Sequence, residues 1–281
     1  MSKPRHILLA MAFLLGLGGC EIAQTADEPN RPHATTEPAM EISMIDAVYL
    51  ETAPSIDDPV WGDVSVRWLS LDLGRTGQGE TVCEPGSIQL AYTDQAVYLR
   101  VHMEDRDLVT LAERDNDELY KLGDVVEWFI GFPPTVGLEK EVAADRSASL
   151  LYPSVYVELH AAPNGLRTAY RWVRPGLIEK MKDIPFTFEY KLDGSLNRHE
   201  DADVGWTVLF ELPWSSLAAS LGAASQAELI DRSLTMMVGR YNYGHYLPYP
   251  EDGNGQPELT MWPAQPWTRF HLREYHSPID F

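Results

Sequence analysis

Two carboxylates three positions apart, Asp124 and Glu127, are the first residues whose types suggest chemistry. Glycoside hydrolysis uses two carboxyl groups that flank one glycosidic bond. On a β-strand, however, residues three apart point to opposite faces, so this pair cannot flank a single bond. We therefore expect no catalysis here. Asp124 then forms a turn before a strand or binds calcium, and Glu127 either binds a ligand or pairs with an arginine such as Arg240.

Aromatic residues suggest a second kind of chemistry, since the apolar face of a sugar ring stacks on aromatic rings. Trp262 precedes Pro263 in a proline-rich stretch, where it can stack on a sugar or belong to the core. Tyrosines cluster around Gly244 and His245 and can form a sugar platform or fold against a sheet: Tyr241, Tyr243, Tyr246 and Tyr249. The remaining tryptophans in alternating or turn contexts are expected in the core: Trp61, Trp206, Trp214 and Trp267.

Metal and cofactor signals are weak. None of the 8 histidines has a metal-ligand spacing with Cys or Glu. Residues 251–255 resemble half a calcium loop, so calcium is a weak candidate and no other cofactor is expected. The sequence has no nucleophile elbow, zinc-protease motif, phosphate-binding glycine loop or dinucleotide fingerprint, which argues against those enzyme classes.

The first twenty residues predict export and lipidation. Lys3 and Arg5 precede an apolar run from Ile7 to Leu17, which is too short to span a bilayer and is typical of a signal peptide. Gly18-Gly19 then precedes Cys20, in a pattern that resembles a bacterial lipobox. We expect residues 1–20 to be a lipoprotein signal with Cys20 lipidated, and Glu21, in place of Asp, favours the outer membrane. A plain signal peptide is the alternative.

Beyond the signal, residues 21–40 predict a flexible linker and residues 41–281 a single domain. The net charge of −20 disfavours binding to nucleic acid or to anionic lipid, so contact with a membrane is expected through the anchor only. If Cys20 is acylated, Cys83 has no partner for an intramolecular disulfide.

The domain's apolar residues alternate with a period of two. Val97, Leu99, Val101 and Met103 share one strand face, and an alternating run at residues 88–92 precedes them across a turn, which predicts a hairpin with one buried face. Similar runs recur at 155–159, 206–212 and 234–238. Short helices are expected within 105–120 and from Pro213, and long loops or insertions at 133–150 and 176–203. The fold class is therefore all-β: an antiparallel β-sandwich with long loops and one or two short helices.

Six local patterns, in order, resemble those of carbohydrate-binding module family 9, over roughly residues 45–272. The patterns are Ile56–Trp61, Ile88–Val101, Gly123–Ile130, Tyr156–Leu159, Gly205–Leu217 and Trp262–Phe270. The chain departs from the family at Asp58 and Thr268, where glycine is usual. The resemblance implies a non-catalytic β-sandwich that binds an oligosaccharide or polysaccharide, with a glycoside hydrolase encoded elsewhere as a candidate partner.

The resemblance also implies site residues. In the family, two tryptophans sandwich a terminal sugar, and polar side chains bind its hydroxyl groups. Trp262 matches one tryptophan and Glu127 the hydroxyl-binding glutamate. The other tryptophan corresponds to Lys121, with Tyr120 beside it as a substitute. Arg240 and Asn242 occupy the strand that carries polar ligand-facing residues in relatives.

Two other functions remain open. Related sandwiches hold haem between their sheets, and Met103, Met236 and Met237 are candidate axial ligands, although strand methionines usually pack in the core. A structural lipoprotein without a ligand is the other alternative.

Overall fold

The structure is a computed structural model that describes residues 44–69, 84–133, 155–174, 177–244, 257–264, 271, 273 and 276–281. The described residues all belong to one compact unit, Glu41–Phe281. Its strands, in chain order, are β1 (Ile45–Asp46), β2 (Val48–Tyr49), β3 (Arg67–Trp68), β4 (Gly86–Tyr92), β5 (Ala96–Glu104), β6 (Val125–Gly131), β7 (Tyr156–Ala161), β8 (Arg167–Arg174), β9 (Leu177–Lys180), β10 (Thr187–Asp193), β11 (Gly205–Pro213), β12 (Leu234–Asn242), β13 (Glu258–Trp262) and β14 (Ser277–Asp280).

These strands form two sheets. The first runs β1-β14-β12-β6-β7-β8-β9, with β13 also pairing with β12, and the second runs β10-β11-β5-β4-β2, with β3 also pairing with β4. The pairings are antiparallel except β1 with β14 and β2 with β4. The predicted all-β sandwich is therefore confirmed.

The main core lies between the sheets and follows the predicted alternation. Val97, Leu99, Val101 and Met103 of β5 are buried in it, and Trp128 of β6 meets Phe210 of β11 with ring centroids 5.8 Å apart. Side chains at every second position thus face the opposite sheet, as the period of two requires. Trp61, Trp206 and Trp214 are buried, as expected. Trp267 lies outside the described residues.

Two α-helices follow β11: α1 (Trp214–Leu221) and α2 (Gln226–Asp231). The predicted helix from Pro213 is confirmed as α1, which ends at Gly222 in the left-handed conformation that glycine tolerates. The side chain of Ser225 accepts a hydrogen bond from the Glu228 amide and caps α2. Short 3-10 helices span Pro59–Gly62 and Leu119–Lys121, and the second is the only helix described within 105–121.

The expectation of a long loop over 176–203 is wrong. Strand β9 forms the edge of the first sheet and β10 the edge of the second. Their exposed, charge-rich sequences resemble loops in composition, yet Phe188, Tyr190 and Leu192 alternate as in a strand. The predicted insertion at 133–150 falls almost entirely outside the described residues, as do Cys20, Cys83 and the calcium-like stretch at 251–255. No described helix is long and apolar enough to span a membrane.

Candidate functional site

A pocket opens on the face of the first sheet that points away from the second sheet, called here the outer face. Three neighbouring strands supply its base, because Glu127 of β6 lies opposite His160 of β7, and Glu158 of β7 lies opposite Tyr170 of β8. On β6 and β7 the residues on either side of these positions, such as Val126 and Leu159, face the core instead. Strand alternation therefore places a polar group behind a fully apolar core layer.

The pocket has aromatic walls and an acidic base. Its volume is about 300 Å³, at the lower end of the range for small-molecule sites. The residues that line it are Glu118, Tyr120, Glu127, Glu158, Tyr170, Trp172, Ile178, Tyr241 and His271. Trp172 is held in place by stacking on Tyr156, with ring centroids 5.4 Å apart and an interplanar angle of 8°. The walls thus offer flat apolar surfaces above charged groups.

Glu127, Glu158 and His160, the pocket-floor triad, form the base. His160 Nε2 lies 2.7 Å from Glu158 Oε1, within hydrogen-bond distance, and 3.4 Å from Glu127 Oε1. Glu158 also accepts a hydrogen bond of 2.6 Å from Trp172 Nε1. Glu127 accepts no hydrogen bond from any described residue, although its side chain is only 4 % exposed. The imidazole of His160 therefore lies between two carboxyl groups. Both oxygens of Glu158 accept hydrogen bonds, whereas those of Glu127 accept none from the described residues.

Burial and charge set the protonation of the triad. Burial raises the pKa of Glu127 to about 8, the charge of His160 opposes this shift, and the charge of Glu158 adds to it. Burial also acts to raise the pKa of Glu158, but hydrogen bonding and the charge of His160 outweigh it and leave this pKa below its usual value. Burial acts to lower the pKa of His160, but the two carboxylates outweigh it and raise this pKa.

The triad therefore combines an ion pair with a neutral acid near pH 7. The raised pKa of His160 and the lowered pKa of Glu158 favour their charged forms, and a pKa of about 8 favours the protonated form of Glu127, whose carboxyl group can then both donate and accept a hydrogen bond. Burial raises the pKa of Tyr170 and that of Tyr241 as well, so both remain neutral hydroxyl groups in the walls. Such a set of donors and acceptors suits the hydroxyl groups of a polyol.

Two of the predicted site residues reach this pocket. Glu127 lies in its base, and Tyr120, from the 3-10 helix before β6, lies in its wall. Lys121, the strict counterpart of the family tryptophan, instead contacts Glu118 at 2.9 Å. Among the clustered tyrosines, Tyr241 lines the pocket and Tyr243 donates to the Tyr120 carbonyl oxygen at 2.7 Å. Tyr246 and Tyr249 lie outside the described residues.

The prediction that Arg240 and Asn242 face the ligand needs correction, because both point between the sheets and are 0 % exposed. Arg240 donates to the carbonyl oxygens of Glu84 and Glu104, both at 2.8 Å, and its Nη2 lies 3.2 Å from Asp105 Oδ2. The alternative pairing of Glu127 with Arg240 is wrong for the same reason, since the two side chains lie on opposite faces of the sheet.

Asn242 shares this inner polar cluster, which comprises Arg240, Asn242, Asp105, Glu84 and Glu258. Its side-chain amide donates to Glu84 Oε2 at 2.8 Å and to Glu258 Oε2 at 3.1 Å. Burial raises the pKa of Asp105 to about 6, while the charge of Arg240 opposes the shift. Charged groups removed from water need such partners. Because Arg240 lies on the first sheet and Glu104 on the second, the cluster also joins the two sheets.

The prediction that Trp262 stacks on a sugar also needs correction. It lies opposite Val238 on β12, and both belong to the main core. Only 6 % of Trp262 is exposed. Its place on the inward face follows from alternation along β13, and it is not available to stack on a ligand in the outer pocket.

Asp124 is buried and precedes β6, where its carboxylate accepts hydrogen bonds from the amides of Val109 at 2.6 Å and Tyr243 at 2.7 Å. These bonds tie the start of β6 to two segments that lie 15 and 119 residues away in the chain. The candidate haem ligands Met103 and Met236 are buried in the main core, and Met237 packs with Phe129 and Tyr156 in a smaller cluster on the outer face.

Sequence reasoning missed Trp172, Glu158 and His160 as site residues. The signal was present, because a Glu and a His two positions apart on a strand share one face. Only the pairing of β6 with β7 then brings Glu127 beside them. The expectation that no histidine has a metal-ligand spacing with Glu is therefore wrong for Glu158 and His160.

Comparison with solved structures identifies the fold. A candidate carbohydrate-binding protein from Bacteroides uniformis superposes with a TM-score of 0.58 and 13% sequence identity, over 84% of this chain and 97% of that one. The chain shares this protein's fold. Two structures of a family 9 carbohydrate-binding module from Caldicellulosiruptor kristjanssonii, in complex with glucose and with cellotriose, give TM-scores of 0.47 and 0.46 at 11% identity. They cover 85% of this chain and 95% and 93% of theirs. No protein-family model and no curated protein matches the sequence.

Proposed function

We propose that the outer pocket binds a neutral carbohydrate and that the protein does not transform it. The observation that carries this proposal is the combination of aromatic walls with a polar base: Tyr120, Trp172 and Tyr241 surround Glu127 and Glu158. Aromatic faces stack on the apolar face of a sugar ring, and the carboxyl groups bind its hydroxyl groups.

The charge of the pocket narrows the class of sugar. Three of its lining residues are glutamates, and none of those described is Lys or Arg. An anionic sugar would therefore find no Lys or Arg in this lining, and a desolvated charge without a partner costs binding free energy, so uronic acids and sulfated sugars are disfavoured. The volume of about 300 Å³ fits a short segment of a neutral oligosaccharide, such as its terminal residues.

Binding without catalysis is supported by the state of the two carboxyl groups. Glu158 is engaged by both His160 and Trp172, which makes it a poor nucleophile. Glu127 and Glu158 also lie side by side around one imidazole at the base, whereas hydrolysis needs carboxyl groups on either side of a bond. We further propose that the domain is displayed by a lipid anchor at Cys20 in the outer membrane, where binding would support polysaccharide degradation or uptake.

The test begins with a glycan array and continues with calorimetry on the best neutral ligand. Trp172→Ala should weaken affinity about tenfold or more, because it removes a stacking surface and a hydrogen-bond donor to Glu158. Trp68→Ala is the matched control, since Trp68 is 63% exposed and is not among the residues that line the pocket. Equal affinities for both variants, or sustained product release that Glu127→Gln abolishes, would contradict the proposal.

A further inference from the structure

We propose that the pocket-floor triad is a binding site for a divalent transition-metal ion of the zinc type. The ligand atoms of Glu127, Glu158 and His160 all lie within 4.8 Å of one another, and all three side chains are buried. Imidazole and carboxylate groups are common zinc ligands, and zinc sites with three protein ligands keep a further position open.

The distances within the triad fit a small tetrahedral ion. Zinc bonds of about 2.0–2.1 Å place neighbouring ligand atoms roughly 3.3 Å apart. Glu127 Oε1 and His160 Nε2 are already 3.4 Å apart. Glu158 Oε1 and His160 Nε2, at 2.7 Å, would separate by about half an ångström as the ion replaces their hydrogen bond.

Glu127 supplies independent support for a ligand. It is a carboxyl group with a side chain only 4 % exposed, it lines the pocket, and it accepts no hydrogen bond from the part of the chain that the structure describes. Buried polar groups normally have partners, and a dication that displaces the proton of Glu127 would pair with its carboxylate. A dication between Glu127 and Glu158 supplies that partner for both.

The donor set decides the class of ion. Calcium takes six to eight oxygen ligands and magnesium an octahedral shell rich in water, whereas this triad offers one nitrogen and two carboxylates. Such mixed sites bind zinc more tightly than manganese or iron(II). The remaining coordination positions face the pocket, since Glu127 and Glu158 both line it, so water or a ligand oxygen can complete the shell.

The second nitrogen of His160 bears on the affinity. His160 Nδ1 is buried without a hydrogen-bond partner in the described residues. A metal-bound histidine usually donates from its other nitrogen, and loss of that contact typically weakens metal binding 10–100-fold. We therefore expect affinity that is weaker by this factor than that of a fully supported zinc site.

The experiment titrates zinc into the chelator-treated full chain by calorimetry. One ion per chain should bind, and Glu127→Gln and His160→Gln should each weaken binding at least tenfold. His199→Ala removes a histidine that pairs with Asp107 at 2.7 Å on another part of the surface, and Cys83→Ser removes one of the two cysteines of the chain. Both controls should keep the parental affinity, and calcium should not compete.

Cobalt(II) gives a direct readout of the coordination geometry, because its visible absorption bands are intense at sites of low coordination number. These bands should appear in the parent and in His199→Ala and be lost in His160→Gln. If circular dichroism shows that His160→Gln is unfolded, Glu127→Gln decides, since that change removes no hydrogen bond between described residues. No zinc binding by the parent, or unchanged affinity in Glu127→Gln, would overturn the site.

Sugar binding is measured separately, once in chelator and once with zinc added. Zinc binding without sugar binding would refute only the carbohydrate proposal. Sugar binding without zinc binding would refute only the metal site.

Discussion

The inner polar cluster and the pocket-floor triad are both buried groups of polar residues, but they differ in which parts of the molecule their hydrogen bonds connect. In the inner cluster, Arg240 and Asn242 make five hydrogen bonds within 3.2 Å, two of them to backbone carbonyl oxygens, and only Arg240 Nε and Asn242 Oδ1 of these two side chains are left without a partner among the described residues. In the triad, Glu127 accepts none from the described residues. The first arrangement joins two sheets, whereas the second leaves an acceptor directed at an open pocket.

This difference separates structural from functional polar residues more reliably than residue type does. Arg240 and Asn242 are the kinds of side chain that bind sugars, yet they face the opposite sheet and are fully enclosed. Glu127 is equally buried by exposure alone, at 3 %. The face of the sheet on which a side chain lies, and the partners it has there, therefore decide its role.

The largest expected effect is on the inner cluster. Arg240→Met should lower the free energy of unfolding by about 3–5 kcal/mol, because it leaves Asp105 without its buried cation. Denaturant unfolding measures this loss. Arg114→Met, which breaks an exposed ion pair with Asp117, is the control and should cost no more than about 1 kcal/mol. Sugar affinity should stay unchanged in the folded Arg240→Met protein. A loss of affinity without a loss of folded structure would show that Arg240 binds the sugar.

The next effect concerns the pH dependence of stability. Glu127 binds a proton more tightly in the folded protein, since its pKa rises from 4.5 to about 8. Its contribution to stability is therefore complete below about pH 4.5 and is lost as pH rises toward 8, by a few kcal/mol in total. In chelator, Glu127→Gln should lose less stability than the parent between pH 5 and pH 8.

Unfolding curves at the two pH values measure that difference. The control is Glu211→Gln, because Glu211 pairs with an exposed threonine on a different sheet. It should retain the parental pH dependence. Parallel curves for the parent and Glu127→Gln would show that Glu127 is ionised in the folded protein.

The smallest effects compare two tryptophans on opposite faces of the first sheet. Trp262→Phe should cost about 1–2 kcal/mol of stability through a partly filled cavity, with sugar affinity unchanged. Trp172→Phe should keep most of the stability and weaken sugar affinity about threefold, because a smaller ring stacks less well. Thermal melts and calorimetry on both variants provide the measurement. If Trp262→Phe weakened sugar affinity and Trp172→Phe did not, the sugar would bind on the inner face of the sheet.

Much of the fold could be predicted from the sequence, because the alternation of apolar and polar residues along a strand is a local pattern. Alternation along β5 predicted which residues face the core, and Pro213 predicted the start of α1. Strand β10 was missed because charged residues separate its apolar positions, as is usual for an edge strand.

The site was predicted only in part. Glu127 and Tyr120 reach the pocket, but the same alternation that places Met236 and Val238 in the core also turns Arg240 and Asn242 inward. That inference was available and was not drawn, since the two polar residues end an otherwise apolar face. The triad could not be assembled from the sequence, because it depends on the pairing of β6 with β7 across residues 132–155.

The long-range pairings also bear on how the chain reaches this structure. Strand β11 pairs with β5 through contacts such as Gly205 with Glu104, and β12 pairs with β6 through contacts such as Thr235 with Gly131. In each pair the partners are about a hundred residues apart, and closing such loops slows folding. The second sheet cannot be completed before β11 is synthesised, and the first cannot be completed before β14, so a nascent chain stays incompletely folded through most of its synthesis. Under the proposal of a lipid anchor at Cys20, this delay would leave the chain unfolded for longer before export.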